Sequence, residues 1–411
     1  MSNGANHNRP KRERDSVGRL PRRTPGLRTA SAAANTLQFS RESIHQVHHI
    51  YVHIPFCARI CPYCAFYKDL LDRLQTSRFC EALLRELVGR DRRARRLAPS
   101  TIYFGGGTPT ALNIAQLDLL LHGFHETLDL SRLIEWTIEA NPGSVSARKA
   151  ALLKKSGVNR ISLGVQSWDE KLLKLLGREH NAEQAKESFR ILRNAGFSNI
   201  NVDLMFGLPG QTIDQWRVTL EKTIALQPEH ISTYCLTYEE DTEFFLRHAR
   251  GEFRQDPDAD ADFFEMAMAI LEDAGYRHYE ISNYARPGFE SVHNRAYWLG
   301  QDYFGIGPSA VSTFGMQRWQ NVCDYRVYID RVLCGESARG SSETLTDEMK
   351  RTERIALGLR TREGISASEL KDFGQNVDQL VTLKLLRKSN DKFLLTRKGK
   401  ALADSVVEAF L

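Results

Sequence analysis

From residue 49 onward, short apolar runs alternate with longer stretches in which apolar positions recur every three to four residues. The short runs are rich in Ile, Val and Tyr and fall at His49–Phe56, Thr101–Phe104, Ile134–Glu139, Arg160–Gln166, Asn199–Phe206 and His230–Thr237, most with Gly, Pro or Asn at or just after the end. Such runs predict strands closed by turns. The intervening periodicity predicts amphipathic helices over Ser77–Leu97, Asn113–Leu128, Asn181–Ala195 and Ile213–Leu226. Six strand–helix units in series predict an α/β fold with a parallel sheet and helices outside it. Six is short of the eight of a closed TIM barrel, so the expected architecture is a partial, three-quarter TIM barrel.

The pattern also divides the chain. Residues 1–46 carry Arg, Ser, Asn, Pro and Ala with no apolar face, the composition of a disordered basic leader. Residues 47–285 hold the barrel pattern, and 286–340 form a segment expected to close it. Residues 341–411 change to short helices and a β-like stretch at Lys392–Gly399, as in a small winged-helix-like domain.

Charge changes this picture in one place. The net charge is +5, but residues 1–49 hold nine Lys/Arg against three Asp/Glu, which leaves the rest of the chain at −1. A basic tail on a near-neutral body argues against a nucleic-acid surface on the folded part. The Arg90–Arg96 run, RDRRARR, reads either as a nucleic-acid patch or as a cationic last helical turn that complements the helix dipole. No apolar run approaches the ~18–20 residues of a membrane span. A cytoplasmic location is expected, and the Arg- and Ser-rich leader leaves an organellar matrix open.

The cysteines carry the chemistry. There are seven, and three of them crowd into His53-Ile-Pro-Phe-Cys57-Ala-Arg-Ile-Cys61-Pro-Tyr-Cys64, directly after the first strand. This is metal-ligand spacing, not a disulfide framework. Three thiolates on a cubane leave one iron open, able to chelate the amino and carboxylate groups of S-adenosylmethionine (SAM) while the cluster delivers an electron to the sulfonium. The rival is a Cys₃His zinc site completed by His53. Tyr63, inside the loop, can pack on adenine or serve as core.

Around this loop the strand ends collect further candidates. Gly105-Gly106-Gly107 follows the second strand, and three glycines let backbone approach a ligand. Glu139 ends the third strand, Gln166 the fourth, and Asp203 lies late in the fifth, on the face where such barrels place their sites. A lone polar residue in an apolar strand is as readily a satisfied core group, but three beside a cysteine loop favour a site. Arg178 is a candidate carboxylate partner.

Taken together, Tyr51-Val-His-Ile-Pro-Phe-Cys57, Phe104-Gly-Gly-Gly-Thr-Pro-Thr110, Glu139-Ala-Asn-Pro142, Gly164-Val-Gln-Ser167 and Asp203-Leu-Met-Phe-Gly-Leu-Pro209 resemble the radical SAM family of oxygen-independent coproporphyrinogen III oxidases and their haem-chaperone relatives. The resemblance runs from about residue 49 to the C-terminus. It implies a [4Fe–4S] cluster on Cys57, Cys61 and Cys64, and SAM contacts at Tyr51, Tyr63, Gly106, Gly107, Glu139, Gln166, Arg178 and Asp203. The oxidase branch has a further cysteine where this chain has Phe66, and His293-Asn294-Arg-Ala-Tyr297-Trp298 is similar to the HNxxYW motif of the chaperone branch. The branch therefore implied binds haem, with His293 as a contact, and passes it to an apo-acceptor protein with the help of an electron donor. Coproporphyrinogen III dehydrogenation is the alternative. Where that branch commonly continues Gly-Ile-Gly-Pro-Gly-Ala-His-Gly, this chain has Ser309 and Val311, so a second histidine is missing.

Overall fold

The computed structural model describes residues 47–91 and 97–411. The leader and the side chains of the Arg90–Arg96 run lie outside the described residues. Six parallel strands form the centre: β1 (His49–Ile54), β2 (Thr101–Gly106), β3 (Glu135–Ala140), β4 (Arg160–Gln166), β5 (Ile200–Phe206) and β6 (His230–Cys235). Side chains alternate across a strand, and here the two faces differ in chemistry. Ile50, Val52, Phe104, Trp136, Ile138, Leu163, Val202 and Phe206 are buried on the outer face. Phe104 meets Phe124 at 5.0 Å and Phe206 meets Trp216 at 5.4 Å, both on flanking helices.

The inner face is polar. His49, Tyr51, Thr101, Tyr103, Glu135, Glu139, Arg160, Ser162, Asn201, Asp203 and His230 occupy the alternate positions, and several of them bond one another across strands, as in Tyr103 to Glu139 at 2.7 Å and Asn201 to Ser162 at 2.7 Å. Buried polar groups persist only when satisfied, and this lumen satisfies most of its own.

The helices are α1 (Thr76–Asp91), α2 (Ile114–Thr127), α3 (Ala147–Lys155), α4 (Glu170–Leu175), α5 (Ala182–Asn194) and α6 (Ile213–Ala225). Asn113, Asn181 and Thr212 open α2, α5 and α6 with reciprocal capping boxes, the side chain of the cap and of the third helical residue each taking an orphan N–H.

After α7 (Glu243–Ala249) and α8 (Pro257–Asp273) come β7 (Arg277–His278), β8 (Asn283–Ala285), α9 (Val292–Trp298), β9 (Tyr303–Ile306), β10 (Val311–Phe314), β11 (Gln317–Asn321), α10 (Tyr325–Leu333) and β12 (Arg339–Thr344). The sheet runs β12-β11-β10-β9-β1-β2-β3-β4-β5-β6-β8-β7. β9 joins β1 in parallel, a seventh parallel strand beyond the six expected, and the strands outside β9 and β6 turn antiparallel. The order is linear with two free ends, so the barrel is open, as expected of a three-quarter barrel.

Beyond β12, α11 (Asp347–Leu359), β13 (Ile365–Ser366), α12 (Gly374–Thr382), β14 (Leu386–Ser389) and β15 (Lys392–Leu395) enclose a core of their own around Ile355, Leu359, Leu380, Val406 and Phe410. Its three strands pair antiparallel as β13-β15-β14. Ion pairs from Arg295 to Glu363 (3.0 Å) and Arg397 to Glu272 (2.7 Å) tie it to the barrel. Among the described residues no helix is long and apolar enough to cross a membrane.

Candidate functional site

The cysteine loop leaves β1 under firm anchorage. Phe56, fully buried, meets Phe79 edge-on at 4.9 Å and Tyr325 at 5.2 Å. Backbone N–H groups of Gly107 and Thr108 donate to the carbonyls of Ile54 and Phe56, both at 2.8 Å, and Leu71 donates to Cys57 at 2.9 Å. Cys57, Cys61 and Cys64 are all free and half-buried. Of the other four cysteines, Cys80 is buried and Cys323 and Cys334 are exposed.

An open chain of polar contacts links two of the three thiols, Cys57 and Cys61. The Thr108 hydroxyl lies 3.6 Å from Cys57 Sγ and accepts from Asn141 Nδ2 at 2.8 Å. Arg178 Nη2 donates to Asn141 Oδ1 at 2.7 Å, and its Nη1 to Cys61 Sγ at 3.7 Å. Because the Thr108 oxygen already accepts from Asn141, its single proton is free to point at Cys57. Burial pushes the Cys57 thiol up to about 11, opposed by the Thr108 hydrogen bond, and pushes Cys64 up as well, opposed by a backbone hydrogen bond and by Lys68.

The zinc reading loses its fourth ligand. His53 Nε2 donates to the Tyr67 carbonyl at 2.9 Å, and its Nδ1 accepts from the Tyr51 hydroxyl at 2.9 Å. Burial also lowers this imidazole to about 4, so it is neutral with both nitrogens committed. Among the described residues no three His, Cys, Asp or Glu side chains close on one metal position. Three thiols on separate corners of a cubane have no need to converge, so the donor set fits a cluster better than a single ion.

The glycine loop is constrained by packing. At Gly106 (φ +108°) an added Cβ would stand 2.5 Å from the His53 ring, and at Gly107 it would stand 2.5 Å from the Pro55 backbone. These glycines are required by packing against the cysteine strand. Glu139 accepts from the Tyr103 hydroxyl at 2.7 Å and from the Gly106 N–H at 3.1 Å, while burial raises its carboxyl to about 7. Asp203 accepts from Ser162 (3.0 Å) and Asn201 (2.8 Å), and burial raises it too. Gln166 ends β4 at φ +68°, where the register with β5 slips. Tyr63 lies in an apolar cluster 6.2 Å from Phe244, and the Arg178 charge acts on its hydroxyl.

Arg178 also bonds the Gly164 carbonyl at 2.7 Å, but its Nε is buried without a partner. A cavity of about 550 Å³ opens beside it, lined by Cys61, Thr108, Asn141, Lys149 and His180. That is within the ~300–1,000 Å³ of small-molecule sites. An orphaned guanidinium donor and a cavity at the thiols suit a ligand with a carboxylate, as SAM has.

His293 is elsewhere. It sits on α9, which packs at the N-terminal end of β2, and is 1% exposed. Its Nδ1 lies 2.7 Å from the Thr101 hydroxyl and its Nε2 3.1 Å from that of Tyr297, while its ring stacks on Tyr103 at 5.1 Å. The wiring fixes the tautomers. His49 Nε2 donates to Gln301 Oε1 (2.7 Å), so His49 Nδ1 must accept the Thr101 proton (2.8 Å). Thr101 then accepts from His293 Nδ1, and His293 Nε2 holds a lone pair onto which Tyr297 donates. Thr101 opens β2, and the thiol loop lies beyond the far end of β1, a separation of about 17 Å at the strand rise of six residues. In this arrangement the Tyr297 hydroxyl covers the His293 nitrogen that carries the lone pair.

Sequence reasoning missed Thr108, Asn141, Tyr103 and Arg160 as members of the site. The period-two alternation of polar residues within the strands was the signal that could have found the last two.

The radical SAM superfamily profile matches residues 51–223. The chain is 38% identical to heme chaperone HemW of Lactococcus lactis, covering 88% of this chain and 96% of that protein. It is 37% identical to heme chaperone HemW of Bacillus subtilis, covering 88% and 98%. The solved structure of Escherichia coli coproporphyrinogen III oxidase (HemN), a radical SAM enzyme, shares the fold at a TM-score of 0.77 and 24% identity, over 89% of this chain and 90% of that one. The thiol loop, the open barrel and identity sustained over nearly the whole of both curated relatives agree, and the chain belongs to the HemW family of radical SAM proteins.

Proposed function

We propose that this protein is a haem chaperone: it holds a [4Fe–4S] cluster on Cys57, Cys61 and Cys64, binds SAM at the cluster, binds haem, and passes haem to an apo-acceptor. The observation that carries the cluster is the contact chain Cys57–Thr108–Asn141–Arg178–Cys61, and the haem role follows the printed function of the HemW relatives. When bound, the cluster supplies an electron to the SAM sulfonium. The chain's own residues do the rest. Arg178 offers its unpartnered Nε to a carboxylate. Glu139 and Asp203 are acceptors for an ammonium or ribose hydroxyls, Tyr51, Gly106 and Gly107 wall the site next to the thiol strand, Gln166 offers an amide at the bulge, and Tyr63 supplies an apolar wall. An electron donor is required, and the cytoplasm supplies the reducing setting for free thiols. Coproporphyrinogen III dehydrogenation is disfavoured by Phe66, 71% exposed where the oxidase branch has a cysteine.

His293 enters this reading as a latent haem ligand. Thr101 holds it in the tautomer whose Nε2 lone pair suits iron, as groups behind metal-binding histidines do, and Tyr297 must swing away for it to bind. Haem titrations of the wild type, Tyr297→Phe and His293→Ala test this. Removing the Tyr297 hydrogen bond, worth about 1 kcal/mol, should tighten haem binding about fivefold. His293→Ala should weaken binding and change the haem absorption band. Equal affinity and spectra in all three would remove His293 from the haem site.

A further inference from the structure

Arg160 is 1% exposed on the lumen side of β4, and its Nε is sealed from solvent without a partner. Among the described residues no hydrogen bond reaches its guanidinium and no carboxylate lies within 4.0 Å of it. Its charge is nevertheless felt by Glu139, Asp203, Tyr103 and His293, so it stands in the middle of the lumen. A buried cation without a paired counter-ion is among the costliest arrangements a core can hold. An arginine persists there at a profit only if an anion joins it.

We propose that Arg160 is the docking cation for a carboxylate of a ligand that enters the barrel lumen. The guanidinium fork matches a carboxylate with two parallel hydrogen bonds. Glu139 and Asp203 nearby would repel a dianion such as a phosphate, which favours a singly charged group. On the lumen faces of β1 and β2, Tyr51 and Tyr103 form an aromatic wall with ring centroids 6.2 Å apart, and the buried His293 ring stacks on Tyr103 at 5.1 Å. A flat ligand with a carboxylate arm fits such a wall and cation. Two sources carry that chemistry, a haem propionate and the methionyl carboxylate of SAM. The haem source rests on the chaperone reading, and it is favoured because Arg178 already offers a donor beside the thiols.

The test uses the cluster-loaded, full-length protein, with Arg160→Met and Arg160→Lys. Each is titrated anaerobically with haem, haem dimethyl ester, SAM and decarboxylated SAM, and iron content reports whether each variant is intact. Wild type should bind haem roughly tenfold more tightly than its dimethyl ester, about 1.4 kcal/mol. Arg160→Met should lose that preference while keeping its affinity for the ester, and Arg160→Lys should retain part of it. If Arg160→Met instead abolishes the preference for SAM over decarboxylated SAM, the docked carboxylate is that of SAM and the proposal stands with that source. If both preferences survive in an iron-replete Arg160→Met protein, the proposal is overturned. A wild type that binds neither haem nor its ester sinks the chaperone reading alone, and the SAM pair then decides the role of Arg160.

Discussion

Thr108 and Asn141 have no reactive chemistry of their own, yet they connect two of the three thiols. Asn141 divides its amide between Thr108 and Arg178, and those two in turn face Cys57 and Cys61. Hydrogen bonds to thiolate sulfur stabilise its charge and tune the metal it holds. In Asn141→Ala both Thr108 and Arg178 lose a buried partner, at ~1–3 kcal/mol for each group left unsatisfied. The expected outcome is a protein that still takes up about four irons per chain on anaerobic reconstitution, the stoichiometry of a cubane, but loses them faster to a chelator. Cys80→Ala, buried away from the loop, should match wild type. Equal iron-loss rates in Asn141→Ala and wild type would mean the contact chain does not support the cluster.

At the scale of elements, β4 ends in a strained turn. Gln166 holds φ +68°, a region that costs a non-glycine residue about 1 kcal/mol, where the β4–β5 register slips. Gln166→Gly should relieve the strain and leave the thermal midpoint equal or higher, while SAM affinity, read from the shift of the cluster's EPR signal, falls. A variant that loses stability and keeps SAM affinity would make the bulge purely architectural. The six strands of the barrel were legible because each is a short apolar run, most with Gly, Pro or Asn at or just after the end, and no observed bound differs from the expected one by more than two residues. β9 was not legible. Its four residues, Tyr303–Ile306, run into Gly307-Pro308 and read as loop, and it becomes a strand only because β1 offers an open parallel edge. The glycine loop was legible as special, but its cause was not, since the clash that forbids a side chain at Gly106 comes from His53, fifty-three residues away in sequence. Phe66 and the thiol spacing were readable outright, because ligand spacing in a loop is local. The contact chain at the thiols joins residues from the segments after β1, β2, β3 and β4, and no local pattern announces it.

The whole molecule carries an unusual electrostatic load inside its barrel, and this sets its response to pH. Burial lowers His53 and His180 to about 4 and His278 and His293 to about 3, from an ordinary value of 6.5. Below pH 6.5 the unfolded chain takes up protons on these four imidazoles that the folded protein refuses, so stability is lost as the pH falls from 6.5 toward 4. Glu139 and Glu280 act in the opposite sense. Burial raises both to about 7 from 4.5, so the folded protein keeps two protons that the unfolded chain releases, and stability is lost as the pH rises from 4.5 to about 7. Burial also lowers His49 and His230 and raises Asp203 and Asp260, so six imidazoles oppose four carboxyls, and the imidazoles prevail. The thermal midpoint, followed by circular dichroism, should therefore climb to a maximum near pH 6.5 and slip slightly by pH 7. A Glu139→Gln, Glu280→Gln double variant should lose that slip and climb more steeply on the acid side, because the opposing carboxyl contribution is gone. A midpoint that falls steadily from pH 4.5 upward would show that the carboxyls outweigh the imidazoles.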